Sequence, residues 1–546
     1  MGSLHKFTIP AITDKVKVIL EGFCYNIDEP YRILLASDIE TNFKKYGLNF
    51  LFNLGGEFSL VISDPETRKI YLVADPCGVK QAFYRQNNGI VEWSTNLNIF
   101  NDKKINNEYI ANLLTGVTWI NDSTPYIAIN RVPAGHILEL SQKDCKRIRY
   151  WKPENIKTEI YTVNEAYEKL EYFLTKFLEA RISLARHPCF EVSGGLDSST
   201  LFAIAKKSGL EVSATSIVFE GSRDQPYVNT LKQSFFSPWI IFNGDLFPAF
   251  SESTFVPNEP YTGFIDGLNW GWNQKLKDHD IDLVISGAGG DQVFGVNGNY
   301  YFLADLLKKG RIVSFLKSLP TVSYDSGERI GYVLKKYAIF PLSSLKLVEK
   351  GPYKPAQPEV PQWINTEFSQ KYKLPERIEI NTWHRQIHGF ALRRYLIEIL
   401  AKFMRYQFYG DHDMAKQVGI EKAYPYMDRI VIETMLKLDI SLTMQCLFNK
   451  KPIEKWLLRL IAERVLPREV AFRTDKATFD PLWYKGFKLH GSIQWQKIYE
   501  TAELKNYFEM EKFKYNWDRM AQGFPGNPLI FNNSVGFARW LQKQLN

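Results

Sequence analysis

Through the first third of the chain, apolar residues come in short runs broken by turn residues. Phe58-Ser59-Leu60-Val61-Ile62, Ile70-Tyr71-Leu72-Val73-Ala74 and His136-Ile137-Leu138-Glu139-Leu140 are such runs, with turn chemistry at Ser63-Asp64-Pro65 and Asn87-Asn88-Gly89. This predicts short strands from about Val16 to Glu139. Between Tyr150-Trp151-Lys152-Pro153 and Val163 the pattern turns polar, which places a boundary between a domain 1–155 and a domain 156–546. Beyond it the period lengthens. Ala166 to Arg181 reads as an amphipathic helix with Leu170, Phe173, Leu174 and Phe177 along one face. Three short apolar segments follow, Cys189 to Val192, Ser213 to Phe219 and Ile281 to Ile285, each leading into a loop or helix. Strands alternating with helices predict an α/β domain whose parallel sheet takes ligands at the strands' carboxyl ends. From Tyr300 onward the chain is expected to be largely helical.

Composition changes this picture little. A chain of 546 residues is expected to split into two or more domains. Its 45% apolar and 23% charged residues are ordinary for a soluble globular protein. The formal net charge of +8 arises from 68 basic and 60 acidic residues interleaved along the chain. That excess suits an acidic ligand such as ATP and is too diffuse for nucleic acid. Five cysteines stand singly without a C-x-x-C, as expected of reduced thiols in the cytoplasm. No apolar run approaches membrane-spanning length and no apolar signal segment opens the chain, so no membrane association is expected.

The candidate chemistry lies in two glycine-rich turns. Phe190-Glu191-Val192 runs into Ser193-Gly194-Gly195-Leu196-Asp197-Ser198-Ser199-Thr200, followed by a short helix from Leu201 that Gly209 stops. Glycines let the backbone approach an anion, and exposed N–H groups at a helix start bind it. Asp197 would be a poor neighbour for bare phosphate, so it is expected to hold Mg²⁺. The G-x-x-x-x-G-K-[ST] loop of ordinary NTPases is absent. The second turn, Ser286-Gly287-Ala288-Gly289-Gly290-Asp291, follows Ile281 to Ile285 and repeats the arrangement with Asp291. Taken singly these aspartates read as helix caps. As a pair across one triphosphate they read as ligands of one Mg²⁺.

At these residues the chain resembles the asparagine synthetase superfamily of ATP pyrophosphatases. The likeness extends through Ser216-Ile217-Val218-Phe219-Glu220-Gly221-Ser222-Arg223-Asp224, Tyr424-Pro425-Tyr426-Met427-Asp428-Arg429, Glu454-Lys455-Trp456-Leu457-Leu458-Arg459 and Leu466-Pro467-Arg468 to Arg473-Thr474-Asp475-Lys476-Ala477-Thr478-Phe479. In the first domain Ser37-Asp38-Ile39-Glu40, Gly55-Gly56-Glu57-Phe58 and Asp75-Pro76-Cys77-Gly78-Val79-Lys80 look like the family's glutaminase-type fold. The resemblance implies an Ntn-type αββα domain followed by an adenine-nucleotide α-hydrolase-like synthetase domain with a helical end. It implies that a carboxylate and ATP give an acyl-adenylate and pyrophosphate, and that an amine then attacks. By position, Val192, Ser193, Gly194, Gly195, Ser198, Ser199, Ile217, Ser286 and Gly287 would line ATP, and Asp197 and Asp291 would bind Mg²⁺. Lys455 and Lys476 would be catalytic, facing the phosphates and the charge that develops on them. Pro452 to Val465 reads as an amphipathic helix with Ile453, Trp456, Leu457, Leu460 and Ile461 inward and Lys455 at the edge of that stripe. Lys476 rests on the resemblance alone.

Two departures narrow the expectation. A glutaminase of this family begins with a cysteine whose α-amine serves as base, whereas here Gly2, Ser3, Leu4 and His5 open the chain and Cys24 is internal. The first domain therefore reads as lacking ammonia-forming activity. At Ala288 asparagine-forming members carry glutamate and β-lactam-forming members tyrosine, and alanine does neither job. The subgroup most resembled is the lasso peptide macrolactam cyclase, which implies a precursor peptide substrate and a leader-processing protease or leader-recognition protein as partner. Glu191 and Asp266 are candidates for the base that takes the amine's proton. The rivals are an amide ligase acting on a small molecule (asparagine synthetase or β-lactam synthetase type), a non-catalytic scaffold, and a tRNA-modifying pyrophosphatase. His384 and His388, at i and i+4 without an H-E-x-x-H, read as helix surface or core rather than metal ligands. Trp270-Gly271-Trp272 reads as aromatic core.

Overall fold

The computed structural model describes residues 3–8, 15–101, 103–116, 122–142, 144–160, 162–260, 265–295, 300–342, 359–380, 409–439, 442, 445–448, 451–453, 455–475, 478–523 and 528–545. Ten strands build the first part: β1 (His5–Thr8), β2 (Lys17–Asn26), β3 (Glu29–Ile33), β4 (Leu54–Asp64), β5 (Lys69–Ala74), β6 (Phe83–Asn87), β7 (Ile90–Ser94), β8 (Asn130–Arg131), β9 (His136–Leu140) and β10 (Cys145–Arg149). They form two antiparallel sheets, β1-β7-β6-β8 and β10-β9-β5-β4-β2-β3. The period-2 alternation of β4 and β5 decides what lies on each face. Val61, Ile70 and Leu72 pack with Val91, Trp93 and Leu138 between the sheets, while Leu60, Ile62, Tyr71 and Val73 face the other way. On that side lies α1 (Ala36–Tyr46), whose Phe43 ring centroid is 5.4 Å from that of Tyr71. Behind the smaller sheet, α2 (Asn107–Leu114) buries Ile110 and Leu114 with Phe83. The result is an αββα sandwich.

In the second part α3 (Val163–Ile182) carries the expected stripe, with Thr162 accepting from the Glu165 N–H as N-cap. Five parallel strands follow: β11 (Pro188–Glu191), β12 (Ser213–Val218), β13 (Trp239–Asn243), β14 (Leu283–Ile285) and β15 (Glu421–Ala423), in the spatial order β13-β12-β11-β14-β15. Connections run outward from β11 on one side and then jump to β14 on the other. In such sheets the crevice outside the carboxyl ends of the two strands at the reversal is where ligands bind. The helices around that crevice are α4 (Leu196–Lys207), α6 (Gly290–Phe294), α7 (Arg429–Lys437) and α8 (Trp456–Val465), while α5 (Asp266–Lys277) packs against β13. After residue 300 the described chain is mainly helical, including α9 (Asp480–Glu500) and α10 (Pro528–Leu545), with an added antiparallel pair of strands, Gln445–Phe448 and Lys451–Ile453.

The two parts share one core. Phe23 of β2 meets Phe177 of α3 edge-on at 5.5 Å. At the seam Asp428, fully buried, accepts from Tyr25 Oη at 2.8 and 2.9 Å and from Tyr31 Oη at 3.0 Å, while also capping α7 through the Ile430 N–H at 3.0 Å. Burial pushes its carboxyl up to about 6, and the two phenol donors pull it back. Asp428→Ala leaves two buried hydroxyls unpaired and uncaps α7. The expected cost is about 2–5 kcal/mol in urea unfolding, with Asp428→Asn less harmful. A loss below about 0.5 kcal/mol, the ordinary scatter of surface substitutions, would show that the seam does not depend on it.

Candidate active site at the carboxyl ends of β11 and β14

Val192 continues the sheet, donating its N–H to the Thr215 carbonyl at 2.8 Å. The chain then turns sharply, and α4 begins at Leu196, five residues before the start read from the sequence. Asp197, Ser198 and Ser199 therefore occupy its first turn, where backbone N–H groups lack partners within the helix. The turn is laced internally: Ser198 Oγ accepts from the Ser193 N–H at 3.2 Å, and Ser193 Oγ from the Gly195 N–H at 3.2 Å. Ser199 faces the other way and is fully buried.

On the neighbouring strand, Ser286 donates its N–H to the Ala423 carbonyl at 2.9 Å, and the turn after it presses on the first. A Cβ on Gly287 would lie 2.5 Å from the Ser198 nitrogen. One on Gly290 would lie 2.5 Å from Asp197 Cγ. At Gly287 only hydrogen fits against backbone, and at Gly290 a Cβ would push the Asp197 side chain aside, which is why these turns are glycine-rich where they touch.

This approach brings Asp197 and Asp291 to one cation. The ammonium of Lys455 lies 2.8 and 2.6 Å from the two carboxylate oxygens of Asp197 and 2.5 Å from Asp291 Oδ1. Burial works against the charge on Lys455, but the two carboxylates outweigh it and hold its pKa above the usual lysine value. The sequence reading of a helix from Pro452 is corrected here. Lys451–Ile453 is a strand and α8 starts at Trp456, with Lys455 before it at φ 55°, in the left-handed region. A non-glycine residue held there is strained, and such strain recurs at functional sites. The turn of backbone aims the lysine across the cleft instead of along the helix edge. Trp456 and Leu460, expected inward, are half-buried, while Leu458 is fully buried.

Two further contacts went unread in the sequence. Tyr426 Oη donates to the Asp197 carbonyl at 2.9 Å. Arg473 donates to the Gly194 carbonyl at 3.1 Å and lies over the Tyr227 ring at 4.0 Å, neutralised by Asp224 at 2.6 Å and Asp475 at 3.0 Å. Both residues fall within the stretches that carry the family likeness, but nothing local points them at the first turn. Ile217 lies half-buried near the end of β12, under the same crevice.

The two candidate bases are committed elsewhere. Glu191 is paired with buried Lys422 at 2.7 Å, which also holds Asp411 at 2.6 Å. Asp266 is buried opposite Arg539. Trp272 is buried and donates to Thr215 Oγ1 at 2.9 Å, whereas Trp270 is only half-buried. Lys476, His384 and His388 lie outside the described residues.

With this geometry in hand, comparison with known proteins decides the family. The asparagine synthase profile matches residues 169–542, most of the chain. The chain belongs to the asparagine synthase family. A glutamine amidotransferase domain profile matches residues 15–151. The chain is 22% identical to Amidase chry2 of Gibberella zeae over 89% of this chain and 79% of that protein. It is 24% identical to Amidase chyE of Penicillium rubens over 34% of this chain and 30% of that protein. It is 22% identical to putative asparagine synthetase (glutamine-hydrolyzing) 2 of Methanocaldococcus jannaschii, over 58% and 67%. Asparagine synthase family members are ATP-dependent ligases, so ATP is the substrate expected at the two turns.

In this member, Cys24 and Cys77 of the sandwich are buried, and burial pushes both thiols up, the reverse of what an activated nucleophile needs. Among the described residues no helix is long and apolar enough to cross a membrane, and no three or more His, Cys, Asp and Glu cluster to hold a metal.

Gly290→Ala tests the contact between the turns. Alanine suits a helix start, so folding is expected to survive, but its Cβ must displace the Asp197 carboxylate. ATP–pyrophosphate exchange is expected to fall by about tenfold or more, the size seen when charge-stabilising groups are misplaced, with melting temperature nearly unchanged. Undiminished exchange would mean that Asp197 does not work from this position.

Proposed function

We propose that this protein adenylates a side-chain carboxylate of a peptide with ATP and closes an amide with that peptide's own N-terminal amine, releasing AMP and pyrophosphate. The observation that carries the ATP step is the convergence of Asp197 and Asp291 on one cationic position. That donor set fits Mg²⁺: two hard carboxylates already share a cation, and phosphate oxygens and water complete the shell this ion prefers. Asp197 and Asp291 would hold the metal, whose charge offsets that of the leaving pyrophosphate. The first turn of α4 offers backbone N–H groups to phosphate, and Tyr426 fixes the turn through the Asp197 carbonyl. Lys455 supplies an ammonium that stays charged throughout the working pH range.

The choice of amine rests on what is missing from the second turn. Ala288 has no group to take a proton, and its side chain packs against the hydrophobic core. With Glu191 tied to Lys422, the substrate α-amine, partly neutral at its ordinary pKa of about 8, attacks without a protein base and loses its proton to water, and intramolecular ring closure keeps it close. Such positioning contributes up to about 7–11 kcal/mol of effective-molarity advantage. The sandwich acts as a structural partner of the synthetase, and the expected associates are a precursor peptide and the protein that delivers or trims its leader. A second reading, amide formation on a small molecule, is favoured by the relatives, which are amidases and asparagine synthetases.

The assay is incubation with ATP, Mg²⁺ and linear peptides bearing an Asp or Glu several residues from a free N-terminus. Peptide-dependent pyrophosphate release and a product lighter by one water are expected. Acetylating the N-terminus should block the ring while leaving pyrophosphate exchange. Release driven equally well by free amino acids without any peptide would favour the small-molecule reading.

A further inference from the structure

Far along the chain from both turns, α5, α9 and α10 enclose a cleft of about 880 Å³. Arg539 of α10 lines it and is 94% buried, being 6% exposed. A buried guanidinium normally has its N–H groups hydrogen-bonded. Here Nη1 has no hydrogen-bond partner among the described residues, and its ionic contact, Asp266 Oδ2, is 3.7 Å away, beyond hydrogen-bond reach. Its guanidinium carbon lies over the Phe250 ring, 5.6 Å from the ring centroid.

One turn on, Lys543 lines the same cleft, fixed by the Phe255 carbonyl at 2.6 Å and Ser253 Oγ at 3.3 Å. Burial pushes its ammonium down to about 8, with Arg539 adding to the effect against the pull of Asp266. The floor of the cleft is therefore a cationic spot short of negative charge: two cations face the one carboxylate of Asp266, whose own pKa burial raises. Elsewhere the lining is different. Glu252, Glu500 and Glu503 line it, all exposed, with Lys497 beside them at 3.3 Å from Glu252 Oε1, and Trp270 adds an aromatic surface stacked on Phe255 at 5.7 Å. A guanidinium nitrogen without a hydrogen-bond partner suits an anionic oxygen. With Glu252 paired to Lys497, Glu500 and Glu503 are the carboxylates that repel a polyanion such as a nucleotide or inorganic phosphate and accept an ammonium.

We propose that this cleft binds a zwitterion, the free amino acid or short peptide class, with Arg539 and Lys543 holding its carboxylate and the glutamates facing its amine. Trp270 then offers a surface for an adjoining side chain. The site is separate from the ATP turns, and its occupancy does not depend on the amide-forming reaction proposed above.

The probe is the tripeptide Gly-Gly-Phe, titrated into the full-length protein by calorimetry without ATP. Its C-terminal amide, its N-acetyl form and inorganic phosphate serve as comparison arms. Binding of the free tripeptide is expected, with the amide and the N-acetyl form each weaker by about tenfold or more, as for loss of a charged hydrogen-bond partner. Lys543→Gln, at a half-exposed position that tolerates change, should weaken binding by a similar factor. Asp291→Asn, which disarms the ATP turns, should leave it intact, and this separates the cleft from any peptide site beside ATP. Arg539→Gln should abolish binding if it folds, and Lys543→Gln carries the test if it does not. No tripeptide binding, equal binding of the amide, binding of phosphate alone, or full affinity in Lys543→Gln would each overturn the assignment.

Discussion

One ammonium, that of Lys455, lies between the carboxylates of Asp197 and Asp291, and the rest of the site is arranged around that contact. The three groups sum to one negative charge, −1 −1 +1, in a cleft where Lys455 is 8% exposed. Such a balance is unfavourable to bare triphosphate and favourable to a dication that arrives with it. On the proposed reading the same charges would discourage nucleotide alone and admit it together with Mg²⁺. Nothing in the contact is local. Asp197 comes from the helix after β11, Asp291 from the turn after β14, and Lys455 from a strained residue more than a hundred positions on.

The fold makes this meeting possible through strand order. Because β11 and β14 are hydrogen-bonded neighbours whose connections leave in opposite directions, their carboxyl ends open onto one crevice. Close contact between the turns then depends on two missing side chains, at Gly287 and Gly290. The αββα sandwich packs against the same core through Phe23, Phe177 and the Tyr25–Asp428–Tyr31 cluster, so it braces α3 and α7. Whatever chemistry the sandwich carries, its packing gives it a mechanical role beside the synthetase part.

Much of this was legible in the sequence, for identifiable reasons. The two turns announce themselves because glycine, serine and a lone aspartate after an apolar run have few other uses, and the α3 stripe because its period is regular. Strand pairing was readable only as a class. What escaped were features set by distant partners. The pattern around Lys455 predicts a helix from Pro452, whereas a short strand ends at Ile453 and α8 starts only at Trp456, since a short strand and a helix with apolar residues at similar spacing look alike there. Glu191 looked free as a base because Lys422 is remote in sequence, and Asp266 because Arg539 is. Arg473 and Tyr426 reach the first turn only through tertiary folding.

The central claim is that Asp197 and Asp291 act as one unit on metal-bound nucleotide. Calorimetric titration of ATP, with and without Mg²⁺, into the native protein, Asp197→Asn, Asp291→Asn and the double variant tests it most directly. The native protein is expected to bind ATP more tightly with Mg²⁺ than without, by about tenfold or more. Each single substitution should erase that dependence, and the double variant should be no worse than either. Magnesium dependence that survives both substitutions, or losses that simply add, would contradict it.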